Sequence, residues 1–295
     1  MSRSRRRTIS GGTVVITGAA SGIGRALAQR LSGTGSPVAL ADVDADGLAA
    51  TASALQGPVL TRVLDVRDAA AVHEFAATVR DWAPHPISAV FNNAGVAVTG
   101  GVLDGSPDDD EWLRKINVDG VVNGTRAFLP LLVAQNAGVI ANTSSVYGLA
   151  AMPLHSAYCA SKFAVRGFTE ALRHELSGTG VDAVVIHPGG ITTNIVRNAR
   201  YSVDPEGRGR TQEEMAAEFD AMTMTSPEKA AEIICAGIER GRSRILVGPD
   251  AWVFDLAARI TPTHYLAVLS RLESLLARRS PKAPVPAADS RGVTG

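Results

Sequence analysis

The chain is poor in cysteine. Cys159 and Cys235 are the two it has among 295 residues, too few for a disulfide framework or, alone, for a zinc site. That sets aside a disulfide-stapled fold and suits a reducing cytoplasm. Excess charge is missing too, since 29 basic and 29 acidic residues cancel. A nucleic-acid binder needs a basic surplus, so that class is not expected. No run reaches the ~18 apolar residues of a membrane span. Arg3, Arg5, Arg6 and Arg7 crowd the start. No long apolar segment with a small-residue cleavage site follows them, so an export signal is not expected either. Residues 1–11 read as a basic, flexible tail.

What is present is a core-forming composition, 45% hydrophobic and 20% charged, enough for a large α/β domain. Short β-branched runs alternate with helical patterns. Strands are expected at 13–17, 37–42, 58–66, 87–92, 138–144, 181–187 and 244–248, with helices such as 22–32 and 68–80 between them. This alternation implies βαβ crossovers and a doubly wound, mostly parallel sheet of about seven strands, with helices on both faces. No linker divides residues 12–248, and residues 12–260 read as one catalytic domain. In SPDDDEWLRKIN, Ser106 reads as a helix N-cap and Pro107 as the first helical residue. The acids from Asp108 to Glu111 then sit on the positive end of the dipole. They project to all sides of a helix, which argues against a metal site. Residues 190–226 have no clear period and read as a lid. Residues 261–280 read as an amphipathic helix, with Leu266, Leu269, Leu272, Leu275 and Leu276 on one stripe. Residues 281–295, rich in Pro, Ala and Gly, read as disordered.

Three features carry chemistry. SAYCASK places Tyr158 and Lys162 four residues apart, on one face if helical. A nearby ammonium favours phenolate, so Lys162 is expected to lower the Tyr158 pKa and fit the phenol for acid/base work. Standing alone, the pair would ordinarily be a phenol packed on a lysine stem. TGAASGIG places Gly18, Gly22 and Gly24 between the first strand and first helix, where bare backbone and a helix N-terminus suit a pyrophosphate. The second strand ends at Asp42, eighteen residues past Gly24 (42 − 24 = 18), near the ~20 expected of an acid that binds an adenosine ribose. Asp65 ends the third strand and could accept from an adenine amino group. Cys159, turned ~100° from Tyr158, reads as a small buried residue. His155 and His187 lie near the site in sequence and could touch substrate or be structural. Val146, Leu149, Met152 and Ile191 suggest an apolar pocket, with Tyr147 lining it or simply packing.

In this order, the motifs resemble the short-chain dehydrogenase/reductase family over about residues 12–248. TGAASGIG resembles its cofactor loop, Asp65-Val66 its adenine contact, and NNAG (92–95) its fourth-strand segment. KINVDG carries a helix asparagine, Asn117. SSVYG carries Ser145, thirteen residues before Tyr158 (158 − 145 = 13), and YCASK carries Tyr158 and Lys162. HPGGITTNI resembles the segment that lines a nicotinamide. The resemblance implies a Rossmann-type fold and the catalytic set Asn117, Ser145, Tyr158 and Lys162. In that set Tyr158 exchanges the proton, Ser145 holds the substrate oxygen, Lys162 also binds the ribose, and Asn117 positions a water. It implies cofactor contacts at Gly18, Ser21, Gly22, Ile23, Gly24, Asp42, Asp65, Val66, Asn93, Ala94, Gly95, Tyr158, Lys162, Pro188, Gly189, Ile191 and Thr193. NAD is expected over NADP. Asp42 would oppose a ribose phosphate, Ser21 and Val43 are uncharged, and Arg25 and Arg62 are poorly placed. The expected reaction is hydride transfer to or from an apolar secondary alcohol or ketone, in a cytoplasmic homodimer or homotetramer. Epimerisation or dehydration on the same scaffold is the alternative chemistry. A non-catalytic dinucleotide sensor is the alternative class, although it would not need all four catalytic residues.

Overall fold

β1 (Thr13–Thr17), TVVIT, is buried along its whole length, as a parallel strand covered on both faces must be. The structure, a computed structural model, describes residues 7–201, 209–269 and 271. From β1 the chain alternates through α1 (Gly22–Ser32), β2 (Val38–Asp42), α2 (Ala45–Ser53), β3 (Val59–Val63), α3 (Ala69–Trp82) and β4 (Ile87–Asn92). Next come β5 (Val98–Thr99), α4 (Pro107–Arg114), a π-helical turn at Lys115–Asp119 and α5 (Gly120–Ala134). β6 (Gly138–Thr143), a 3-10 turn at Val146–Gly148, α6 (Ser156–Glu175) and β7 (Val181–Pro188) follow. The last part holds β8 (Arg200–Tyr201), α7 (Gln212–Met222), α8 (Pro227–Glu239), β9 (Arg244–Val247) and α9 (Pro249–Ile260).

Seven strands form one sheet in the order β3-β2-β1-β4-β6-β7-β9, every pairing parallel. The order reverses between β1 and β4, which opens a crevice at the carboxyl ends of those strands. Helix starts follow local chemistry. The side chains of Asp44, Asp68 and Ser106 accept from Gly47, Ala71 and Asp109 N–H and cap α2, α3 and α4. One face of the sheet is covered through Leu27 and Leu31 of α1 and Ile234 and Ile238 of α8. The other face is covered by α3, α5 and α6 through Phe75, Phe128, Leu132 and Leu172. Phe75 meets Phe128 edge to face at 6.0 Å. Each such ring removes much apolar area from water, on the order of 2–3 kcal/mol per side chain.

Four expectations change. Residues 7–11, read as part of a tail, are held. Ile9 is fully buried, and its carbonyl accepts from Ser88 Oγ at 2.8 Å. β3 stops at Val63, because the chain turns at Asp65, whose carbonyl accepts from Asp68 N–H. The segment read as an unpatterned lid contains α7, closed by a reciprocal capping box between Thr211 and Glu214, and β8, paired with β5. Of the expected C-terminal helix, residues 265–269 and 271 are helical and Leu269 is buried. Residues 261–264 of the expected helix form a turn instead, and residues 270, 272–280 and 281–295 lie outside the described residues.

Candidate active site

The glycine loop is shaped by what it cannot hold. A Cβ on Gly24 would lie 2.0 Å from the Gly18 carbonyl oxygen, and one on Gly18 would lie 2.8 Å from Ala94 Cα. Gly18 and Gly22 have φ of +68° and +52°, a region side chains avoid. Thr193 stands over Gly22, its Cγ2 3.1 Å from where a Cβ would be. The loop and the 188–193 segment therefore meet. Ser21 is the extended N-cap of α1 and makes no side-chain cap bond. Ile23 packs partly into the core beneath. Asp42 Oδ2 accepts from Ala20 N–H at 2.9 Å and Oδ1 from Asp44 N–H at 3.1 Å, so its carboxylate is fixed beside the loop.

Asp65 is gripped by Arg67, whose Nε lies 2.8 Å from Oδ2. The guanidinium holds this carboxyl below its ordinary range against a smaller opposing effect of burial. Val66 is buried and its carbonyl accepts from Asn123 Nδ2 at 2.9 Å. In NNAG, Asn93 and Ala94 N–H both donate to Thr17 Oγ1, at 3.1 and 3.2 Å. Asn93 Nδ2 reaches the Thr17 and Gly18 carbonyls at 3.3 Å. Asn92 ties to Asn142 at 2.8 Å and to Thr125 at 3.1 Å, a buried polar link at the sheet centre. Thr17 thus joins the first and fourth strand ends. Sequence reasoning missed it, because a buried threonine at a strand end carries no pattern of its own.

The four residues of the expected catalytic set come together beside this cradle. Ser145 opens the 3-10 turn after β6, and its Oγ accepts from Tyr147 N–H at 3.1 Å. Tyr158 and Lys162 lie one turn apart near the start of α6, both buried, with Nζ 5.6 Å from the phenol ring centroid. Lys162 Nζ donates to the Thr143 carbonyl at 3.1 Å and would stand 3.3 Å from a Cβ on Gly95. Asn117 lies in the π-helical turn, a device common at functional sites. Its Oδ1 accepts from Val96 N–H at 2.8 Å, and its Nδ2 donates to Val96 O at 2.9 Å and to Ser161 Oγ at 3.2 Å. These bonds clamp the Asn117 side chain on Val96.

The electrostatics correct one expectation. Burial pushes the Tyr158 phenol well above its ordinary value, and the hydrogen bond with Ser145 pulls only partly against it. Burial also drives Lys162 down to about 8. The expected lowering of the phenol gives way to a raising, because removing water from both groups disfavours each charged form.

His187 is fully buried. Its Nδ1 lies 3.0 Å from the Ser145 carbonyl, and burial pushes it down to about 4. It supports Ser145 from behind rather than facing substrate. His155 stands edge-on to Tyr147 at 5.3 Å, and Tyr147 edge-on to Tyr158 at 5.9 Å. Cys159 is buried, and its Sγ accepts from Met152 N–H at 3.4 Å. Val146 and Leu149, expected to line a pocket, pack with Leu246 and Ala251, and Ile191 belongs to the main core. The apolar groups around Tyr158 are Val98, Leu113, Trp112 and Tyr147. The row of acids at α4 does not converge: Asp109 pairs with Arg200 and Glu111 with Lys115.

A parallel sheet with a glycine-cradled crevice, flanked by a buried Tyr-Lys pair and a serine, defines a dinucleotide-dependent oxidoreductase class. The comparisons agree. A family model described as short chain dehydrogenase matches residues 12–203. The Mycobacterium tuberculosis protein named "Putative oxidoreductase SadH" is 44% identical over 266 residues, 88% of this chain and 94% of that protein. A short chain dehydrogenase/reductase from Burkholderia phymatum, solved in complex with NAD, superposes with a TM-score of 0.72 at 30% identity, covering 94% of this chain and 98% of that one. A serine dehydrogenase in its closed form, complexed with NADP+, gives a TM-score of 0.67 at 30% identity, over 75% and 87% of the two chains. The chain belongs to the short-chain dehydrogenase/reductase family, whose members bind a nicotinamide cofactor and act on small molecules.

Proposed function

We propose that this protein is an NAD-dependent dehydrogenase/reductase that interconverts an apolar secondary alcohol and its ketone. The observation that carries this reading is the convergence of Ser145, Tyr158 and Lys162 on one side of the glycine cradle, with Val98, Leu113, Trp112 and Tyr147 around the phenol. Bare backbone at Gly18, Gly22 and Gly24 lets the loop turn tightly against Ala94 and Thr193 at the start of α1, and a helix N-terminus suits a pyrophosphate, so the residues present fit a dinucleotide. The nicotinamide, when bound, gives or accepts the hydride. The remaining work is done by the chain. Ser145 Oγ holds the substrate oxygen by hydrogen bond. Tyr158 Oη exchanges the proton with that oxygen. As a neutral phenol it is a ready donor to a ketone, and in oxidation the Lys162 ammonium favours the phenolate once the proton is drawn off. Asn117, by clamping Val96, holds Asn93–Gly95 against Lys162. Pro188, Gly189, Ile191 and Thr193 line the nicotinamide side.

The NAD preference rests on Asp42, whose carboxylate is fixed at the adenosine end of the loop and would face a ribose phosphate with like charge. Arg25 is occupied by Thr51 Oγ1 and the Ala20 carbonyl, and Arg62 leans toward Glu74 at 3.6 Å. Asp65 and Val66 border the adenine. We place the enzyme in the cytoplasm, in keeping with two free, buried cysteines. An exposed stripe of Ala160, Phe163, Ala164, Gly167 and Ala171 on α6 suits a two-fold contact with a second copy, in a homodimer or homotetramer. Sedimentation at micromolar concentration should show at least a dimer, and a monomer alone would remove that contact. The functional test is a panel of aliphatic, aromatic and steroid alcohols and ketones with NAD and NADP, followed by nicotinamide absorbance. Dinucleotide binding without turnover of any substrate would replace the enzyme with a sensor. Substrate conversion without net cofactor change would replace hydride exchange with epimerisation or dehydration.

A further inference from the structure

Asp250 lies in the first turn of α9, beyond the residues matched by the family model. Its carboxylate reaches back across the sheet end, where Oδ2 accepts from Gly190 N–H at 2.6 Å. The surrounding backbone is bare where the carboxylate sits. A Cβ on Gly189 would lie 2.1 Å from Oδ2 and 2.2 Å from Oδ1, and one on Gly248 would lie 2.6 Å from Oδ1. Strand pairing brings these glycines together, since Gly189 N–H donates to the Val247 carbonyl at 2.9 Å. On the far side of the same segment, Thr192 N–H donates to the Thr225 carbonyl at 3.1 Å. Two adjacent glycines are the freest point of this stretch. The Asp250 carboxylate and the Thr225 carbonyl hold the chain on either side of Ile191.

We propose that Asp250 is a positioning residue: by pinning Gly190 it gives Pro188–Thr193 one backbone shape where that segment faces the nicotinamide. The inference rests on the cofactor reading above. Asp250 acts on backbone geometry and touches no reacting atom.

Two measurements test it. Amide hydrogen exchange across residues 186–194 is read first, on the cofactor-free protein. Asp250→Ala should speed exchange there by roughly tenfold or more, as loss of a hydrogen bond to a charged acceptor implies. Asp250→Asn keeps an acceptor oxygen and should exchange like wild type. With cofactor and substrate, Asp250→Ala should lose about ten- to a hundredfold in kcat/KM, the scale of a small misplacement. The loss should fall mainly on kcat, with the NAD dissociation constant within about threefold, because the Gly18–Gly24 loop and Asp42 are untouched. Asp250→Asn should restore most of kcat. If Asp250→Ala unfolds, Asp250→Ser, too short to reach Gly190 N–H, takes its place. Unchanged exchange, or kcat/KM within about threefold of wild type in the Ala or Ser variant, overturns the proposal. If wild type binds neither NAD nor NADP, the cofactor reading itself fails and takes this inference with it, whatever the exchange data show.

Discussion

The glycine loop at Gly18–Gly24, over which Thr193 stands, and the described residues of 190–226 are built from different material. The loop is backbone. Its shape follows from positive φ at Gly18 and Gly22 and from a Gly24 that leaves no room for a methyl group. The other segment is held by side chains, some its own and some from α4. Arg200 pairs with Asp109 at 2.8 Å and stacks 3.8 Å above the Trp112 ring centroid. Gln212 Nε2 reaches the Ala199 carbonyl at 2.8 Å, and Thr192 Oγ1 meets Thr223 Oγ1 at 2.6 Å. A backbone cradle tolerates almost no change at a few positions. A side-chain closure spreads its hold over many weak contacts, each of which can be lost cheaply. The proposed catalytic groups, Tyr158 and Lys162, are buried near the start of α6.

Substitutions should reproduce this ranking. Tyr158→Phe should have the largest effect, a loss of ~10²–10⁴-fold in kcat with cofactor affinity nearly intact, because the proton carrier alone is removed. Retention of more than about a tenth of wild-type kcat would take the acid/base role away from Tyr158. Gly24→Ala should come next. Its methyl carbon collides with the Gly18 carbonyl, and overpacking of ~1–3 kcal/mol predicts roughly a ten- to hundredfold weaker dinucleotide complex. Calorimetric titration checks this, and an unchanged affinity would mean the loop does not cradle the phosphates. Asp42→Ala should be milder. Wild type should favour NAD over NADP by at least about tenfold in kcat/KM, or ~1.4 kcal/mol, and the variant should narrow that ratio. Equal use of both cofactors by wild type would remove Asp42 from its role. Arg200→Ala should be mildest, with under about 1 kcal/mol lost in thermal unfolding and a few-fold rise in substrate KM, since its ion pair is half exposed. A collapse of activity from that single change would show that the two regions are not built differently after all.

Much of the cradle was legible because local chemistry specifies it. The expected bounds of α1, 22–32, match the helix found, since the glycines and the following apolar repeat leave little choice. The Ser106 cap and the Pro107 start of α4 were readable for the same reason. The capping box at Thr211–Glu214 was also in plain view. It went unread because α7 buries only Ala216 and so has no apolar stripe to give it away. β5 and β8 are two residues each, too short for any period, and they pair across about a hundred residues of chain. Val146, Leu149 and Ile191 were read as pocket residues from hydrophobicity alone, and hydrophobicity does not say which neighbour covers a residue.

The sequence by itself determined the alternation of strands and helices, the parallel sheet, the glycine cradle, and the order in which Asn117, Ser145, Tyr158 and Lys162 reach the site. Each of these follows from residue type at short spacing, where backbone freedom and periodicity act. Only the tertiary structure decided what surrounds those groups. It showed that burial raises the Tyr158 phenol, that the Asn117 amide bonds to Val96 and Ser161, and that His187 backs Ser145. It also showed that Asp250 reaches Gly190 from sixty residues away (250 − 190 = 60). Desolvation and hydrogen-bond partners depend on atoms brought together from distant parts of the chain, and no local pattern of residues encodes that meeting.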